Sequence, residues 1–484
     1  MNMPNWIYWL VFVGVIVAFG VIGFSASKQA TRVSLYFHKS SLWKNIISLT
    51  ATDITIGTGI IYLISGAHAN GGLILLIPLA TACGYYLQAW FLEKYVRHSL
   101  RDGRNFLANL NDEIAIQTGK ASPFAKTVSF CLVSVFVLLL AFEIFASSKA
   151  IAPLLFGGPS PVGESVISMV VFATTVFYTI LGGVNALFKV DRIQVPLILL
   201  FLPAFFAFAV PDWSDFAAVS NRLTASFKFD ANTIVSVGLA VIAAIATQFY
   251  SILNWGAVSN IPPRSQRKLL CGVGTLSGLI LCVFVLVGLL HPSTGNDPWA
   301  ELFSSMAVTA SSQTISGVML GVILTLGFSS ILLTTTDAVV INSIMFWYDN
   351  VLSKNSASDE SSPKELGAIR KIGLVAFSGS FVVLSILNYL QPDPFYLLLS
   401  MASGITAFAP FIFLAGVLSA TEGKLKVISP RVVRFFLLVF LITGVASIWL
   451  LMTKSHLVAY VGGSAFVVSC IGCAAIWVKS LKLT

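Results

Sequence analysis

Long apolar runs separated by short polar connections fill this chain, and nearly every run has the length of a membrane crossing. A helix needs about 20 mostly apolar residues to span the hydrocarbon core of a bilayer. Such runs recur from Trp6–Phe24 to Leu457–Val478 and predict thirteen helices, among them Asn45–Ser65, Arg192–Val210, Ile234–Trp255, Ile315–Trp347 and Phe395–Ala420. No stretch is left over for a separate soluble domain. Polar residues interrupt the pattern inside three runs, at Ser48–Gly59, Thr247–Gly256 and Ser329–Asp337. Irregular backbone at membrane depth is tolerated only when buried in protein or lining water. Three connections are long. Lys94–Pro123 mixes apolar and charged residues and predicts a short amphipathic helix, His291–Gln313 predicts an outer lid, and Ser353–Pro363 is polar throughout.

Composition agrees with the pattern. Hydrophobic residues make up 57% of the 484, and charged residues only 10%, against roughly 25% in a soluble domain. The net charge of +9 follows from topology. With the N-terminus outside and the C-terminus inside, all but Lys149, Arg222, Lys228 and Lys454 of the 29 Lys and Arg fall on the inner side, as positive-inside orientation requires. The charge therefore calls for no nucleic-acid partner. The first helix lacks a basic leader and a small-residue cleavage site, so it reads as retained. All six cysteines fall within predicted helices and read as small hydrophobes.

The candidate chemistry sits in the interruptions. Asp53 stands among hydroxyls and glycines in Thr50-Ala51-Thr52-Asp53-Ile54-Thr55-Ile56-Gly57-Thr58-Gly59. A carboxylate at bilayer depth costs at least ~2.5 kcal/mol on insertion scales and survives facing a cavity or a partner. An ion or solute site is the stronger reading, and a hydrogen bond between helices the plainer one. Thr334-Thr335-Thr336-Asp337 offers four oxygen-bearing side chains in a row, hard donors of the kind an alkali cation accepts. Hydroxyls alone would be ordinary, since Ser and Thr bond back to their own helix. In Gly182-Gly183-Val184-Asn185-Ala186-Leu187-Phe188-Lys189-Val190-Asp191-Arg192-Ile193-Gln194 two glycines end one helix and Asp191 falls in the first turn of the next. An acid there is usually a cap.

This last segment resembles the signature of the sodium:solute symporter family, G-G-x-x-A-V-x-x-T-D-x-x-Q, departing from it at Val190. Ala51-Thr52-Asp53-Ile54-Thr55 is similar to the Ala-Ser-Asp-Met-Ser of proline symporters. Thr334 to Ala338 resembles the family's S-T-x-D-S, and Val33-Ser34-Leu35-Tyr36-Phe37 resembles its pre-core loop. The family also includes sodium/sugar symporters. The resemblance implies an all-α polytopic membrane protein of the LeuT type, in which two inverted five-helix repeats meet at broken helices near the midplane. The repeats would occupy 45–211 and 232–420, after an N-terminal extra helix in 1–44 and before two C-terminal helices in 421–484.

By the same resemblance, sodium would bind the carbonyls of Ala51, Ile54 and Ile331 and the hydroxyls of Thr334 and Thr335. Asp191 and Asp337 match positions of a second sodium site or release path, where Ala338 replaces the usual hydroxyl. The solute would lie against Asp53, Thr55, Thr58, Gln248, Tyr250 and Asn254, with an amino acid or related organic acid favoured. Asp53 would act through its charge on the cation and on a solute amine. The expectation is a sodium-coupled symporter in a bacterial cell membrane, not an enzyme and without an organic cofactor. Its partners are a small solute, sodium and the bilayer; one sequence carries no signal of oligomeric state. The rivals are a proton-coupled symporter using Asp53 or Glu143, of which Glu143, alone in an apolar run, is the better carrier, and a non-transporting sensor. A channel is third, since nothing resembles a repeated filter or a charge ring.

Overall fold

The computed structural model describes residues 3–28, 41–96, 124–210, 229–259, 261–291, 297–312, 314–348, 363–419, 424–452 and 457–481, with a few isolated positions between them. The Val33–Phe37 segment, most of the Lys94–Pro123 connection and the Ser353–Ser362 stretch lie outside the described residues, as do Arg222, Lys228 and Lys454.

Among the described residues the architecture is all-helical. The helices are α1 Met3–Ser27, α2 Leu42–Asp53, α3 Tyr62–Asn70, α4 Leu76–Phe91, α5 Phe124–Phe156, α6 Pro161–Ala209, α7 Ala231–Tyr250 and α8 Ile252–Ser259. They continue as α9 Pro263–Leu290, α10 Pro298–Ala310, α11 Ile315–Trp347, α12 Pro363–Leu390, α13 Pro394–Ser419, α14 Pro430–Met452 and α15 Leu457–Leu481. Several begin on side chains that accept from an amide left free by the first turn. Ser160 takes Gly163 N ahead of α6, Asp230 takes Thr233 N ahead of α7, and Thr314 takes Gly317 N ahead of α11.

Among the described residues eleven helices are long and apolar enough to cross a membrane, or up to twelve if the bent pair α2–α3 is one span. The expectation was thirteen. The difference lies in α6, which runs for 49 residues, about 73 Å at 1.5 Å per residue against a hydrocarbon core of about 30 Å. Gly183 breaks it, with φ 61° and ψ −154°, a region open essentially to glycine alone. Helix resumes directly after the glycine, so Asp191 sits about two turns inside it, not in a first turn as expected. The stretch expected to be an outer lid contains the helix α10.

Two further breaks shape the centre. After Asp53 the backbone turns extended at Ile54 (φ −82°, ψ 90°) and Thr55 (φ −111°, ψ 155°). It then re-forms as a π-helical turn over Ile56–Ile61 and continues as α3, bent by 57° from α2. Ser251, at φ −67° and ψ 109°, separates α7 from α8. Around these breaks, α2 packs on α9 and α11, α4 on α7 and α9, and α5 on the π-turn, α6 and α11. Phe201, Phe205, Phe284, Phe303 and Phe328 form one aromatic cluster. Of the apolar helices, α14 and α15 bury least of their surface, leaving them at the periphery.

Candidate functional site

Breaking a helix strips its amides and carbonyls of their partners, and in a membrane those groups must be satisfied internally. Glu143 does this for the first break. It lies fully inside α5, 1% exposed, and accepts Gly57 N through Oε2 and Thr58 N through Oε1, each at 2.9 Å. The approach depends on Gly57, whose missing Cβ would lie 2.7 Å from the Phe142 ring and 2.9 Å from the Ala146 methyl. In an unbroken helix those two amides would pair with the carbonyls of Asp53 and Ile54. Their diversion to Glu143 frees both carbonyls. Thr55 can no longer donate to Ala51 O either, which receives only Ile54 N at 3.2 Å. Each of Glu143's oxygens thus accepts one backbone amide.

Asp53 stands at the edge of the break. Its Oδ2 accepts the hydroxyls of Tyr85 on α4 at 2.8 Å and Ser277 on α9 at 2.6 Å, while Oδ1 has no partner among the described residues. Asp53, Thr55 and Thr58 line a cavity of about 220 Å³ together with Gln248, Ser251 and Thr335. The hydroxyls of Thr55 and Thr58 bond to each other. The rest of the wall is largely apolar, from α5, α9 and α13.

The second break is braced chiefly by Asn254. It is 2% exposed, and its Nδ2 donates to Gln248 Oε1 at 2.9 Å and Gln88 Oε1 at 3.2 Å. Its own amide donates to Ser251 Oγ at 3.2 Å, and Trp255 Nε1 donates to Phe249 O at 2.8 Å. Asn254 therefore holds the junction and does not line the cavity. The side chain of Tyr250 lies outside the described residues.

The sodium ligands expected by resemblance are distributed as follows. Ala51, Ile54 and Ile331 are all buried, the first two flanking the break and the third on α11, which packs on α2. Thr335 reaches the cavity, and its hydroxyl also bonds Ile331 O at 3.1 Å. Thr334 turns to Gln194 Oε1 at 2.6 Å and Ser330 O at 2.9 Å and is not part of the cavity wall. Asp191 accepts Ser48 Oγ at 2.5 Å, and Asp337 accepts Tyr178 OH at 2.7 Å. The two carboxylates are within electrostatic reach of one another. Each keeps a buried oxygen, Oδ1, with no hydrogen-bond partner. No group of three or more His, Cys, Asp or Glu able to hold a metal exists among the described residues.

Tyr85, Gln88 and Ser277 were missed in the sequence. A signal existed for the first two: they are three apart, one face of a helix, in an otherwise apolar span. Ser277 carries none.

No family model matches the chain, and no curated protein matches it. Solved structures do. A sodium-coupled sialic acid symporter, in a substrate-bound outward-open state, superposes with a TM-score of 0.68 at 14% identity, over 96% of this chain and 96% of that one. MhsT in complex with L-phenylalanine matches with a TM-score of 0.46 at 14% identity, over 84% of this chain and 99% of that one. At such identity the likeness concerns the fold, and the fold of this chain is that of the LeuT-type membrane proteins.

Proposed function

We propose that this protein is a sodium-coupled secondary transporter that imports a small organic solute by alternating access. The observation that carries the reading is the break at Ile54–Thr55. Glu143 takes two of its amides, which frees the carbonyls of Asp53 and Ile54, and Asp53, whose Oδ1 has no hydrogen-bond partner among the described residues, lines a cavity together with Thr335. Carbonyl and hydroxyl oxygens at a helix break are the usual means of coordinating a sodium ion in transporters of this architecture. The carbonyls of Ala51, Ile54 and Ile331 and the hydroxyls of Thr334 and Thr335 would hold the ion. Asp191 and Asp337, with their unpartnered oxygens, would serve a second ion or its release.

An ion bridging α2 and α11 ties the bent element to the scaffold helix and favours the state open to the outside. Solute then binds beside Asp53, and the bent elements rock against the scaffold to open inward. Sodium drives uptake only through its different affinity for the two states. The proton-coupled reading has less support, because the contacts of Glu143 give it a structural task, holding the amides of Gly57 and Thr58 at the break. Counterflow of labelled solute in proteoliposomes tests the proposal. Exchange that requires Na⁺ and is not restored by a pH gradient supports it, and accumulation driven by a proton gradient in sodium-free buffer overturns it.

A further inference from the structure

Charge is placed one-sidedly around the central cavity. Asp53 and Glu143 line it, and none of its lining residues is Lys, Arg or His. The two acids do different things. Glu143 spends both oxygens on Gly57 N and Thr58 N. Asp53, which lines the space, concentrates its protein bonds on Oδ2, from Tyr85 and Ser277, and leaves Oδ1 without a hydrogen-bond partner among the described residues.

The amides that ordinarily receive a solute carboxylate are partly taken. In transporters with discontinuous helices, the N-terminus of a half-helix points its amides at the anionic group of the substrate. Here the second half-helix opens at Ile56, and Glu143 covers two of its first amides, those of Gly57 and Thr58. At the other break, Asn254 N is taken by Ser251 Oγ. An anion entering the cavity would meet a carboxylate and no donor of positive charge, and like charges at close range in a low-dielectric space repel strongly. A cation would meet Asp53 Oδ1. The rest of the wall is largely apolar and includes Phe136 and Leu139 of α5 and Leu398, Met401 and Ile405 of α13. At about 220 Å³, the space is below the ~300–1,000 Å³ common for small-molecule sites.

We infer that the solute is recognised by a protonated amine paired with Asp53 Oδ1 and by a compact apolar body, with no positively charged side chain to receive a free carboxylate. This rests on the transporter reading and narrows it: amines are preferred to the matching amino acids, and amino acids to the matching acids.

The test uses the purified full-length protein in detergent with Na⁺ and two matched sets of probes. One is isoamylamine, leucine and 4-methylpentanoate; the other is phenethylamine, phenylalanine and 3-phenylpropionate. Within each set the apolar body is shared, so only the charged groups differ. Stabilisation against heat, titrated with each probe, is expected to give amines at least tenfold lower half-saturating concentrations than acids. Asp53→Asn should shrink that amine-to-acid ratio at least tenfold, whereas a purely structural loss would weaken both and leave the ratio unchanged. If Asp53→Asn does not fold, the wild-type ranking and Asp53→Glu, which keeps the charge and should keep the preference, decide the matter. Acids binding as tightly as amines, an unchanged ratio in a folded Asp53→Asn, or no stabilisation by any probe overturns the inference. Counterflow keeps the two claims apart. Amine binding without sodium-dependent exchange sinks the transporter reading alone, and sodium-dependent exchange of an acid sinks the amine alone.

Discussion

Glu143 is a buried acid whose partners are two backbone amides, and that makes its replacement informative. Glu143→Gln keeps the size of the side chain but turns an NH₂ group towards an N–H donor, leaving one amide unsatisfied. An unmade buried bond costs about 1–3 kcal/mol, so the thermal midpoint of the purified variant should fall, and sodium-dependent exchange should be lost with accumulation. Were Glu143 a proton carrier, the glutamine would mimic its protonated form and exchange would survive; exchange measured in proteoliposomes distinguishes the two. Thr334 and Thr335 differ in placement as well. Replacing both with valine removes two oxygens at nearly constant shape and should raise the Na⁺ concentration for half-maximal uptake at least tenfold, or more than ~1.4 kcal/mol. Thr335→Val alone should account for most of the rise, because Thr335 lines the cavity while Thr334 is bonded to Gln194. An unaltered sodium titration in a well-expressed double variant removes both hydroxyls from the site.

The proposed function rests on helix breaks, and each of the three described breaks has its own cause. Ile54–Thr55 is held open from outside by Glu143, Ser251 is spanned by Asn254, and Gly183 is a matter of backbone alone. At φ 61° and ψ −154°, a Cβ at position 183 is strained whatever room it has, at a cost of about 1–3 kcal/mol. Gly183→Ala should therefore lower the thermal midpoint, whereas Gly379→Ala, on α12 where a Cβ meets nothing within 4 Å, should leave it in place. Equal midpoints for the two variants would mean that α6 does not need its break. Of the three polar-interrupted stretches legible in the sequence, Ser48–Gly59 and Thr247–Gly256 hold breaks, whereas Ser329–Asp337 stays helical within α11. The partners that hold the two breaks open were not legible. Glu143 lies 86 residues from Gly57 in sequence, and only packing brings them together.

At the scale of the whole molecule, the distribution of basic residues makes a claim about sidedness. With the N-terminus outside, Asp297 faces the exterior and Lys268 the interior, and both are exposed. In a background without the native cysteines, an impermeant thiol reagent applied to intact cells should label a cysteine replacing Asp297 and not one replacing Lys268. Labelling at Lys268 alone would invert the orientation and with it the direction of import.

Membrane residence, the helical class and the approximate positions of the spans were determined by the sequence alone, because the lipid solvent imposes length and apolarity on every segment separately. The same holds for Asp53, since an acid in an apolar run is conspicuous wherever it points. What each polar group does was decided only by the tertiary structure. Asp53 shares one oxygen with Tyr85 and Ser277 and leaves the other free, Asn254 is spent on bracing α7 to α8, and Asp191 stands inside a helix and not at its start. In a medium without water, a polar group's role is set by whichever partner reaches it, and those partners arrive from helices distant in the chain.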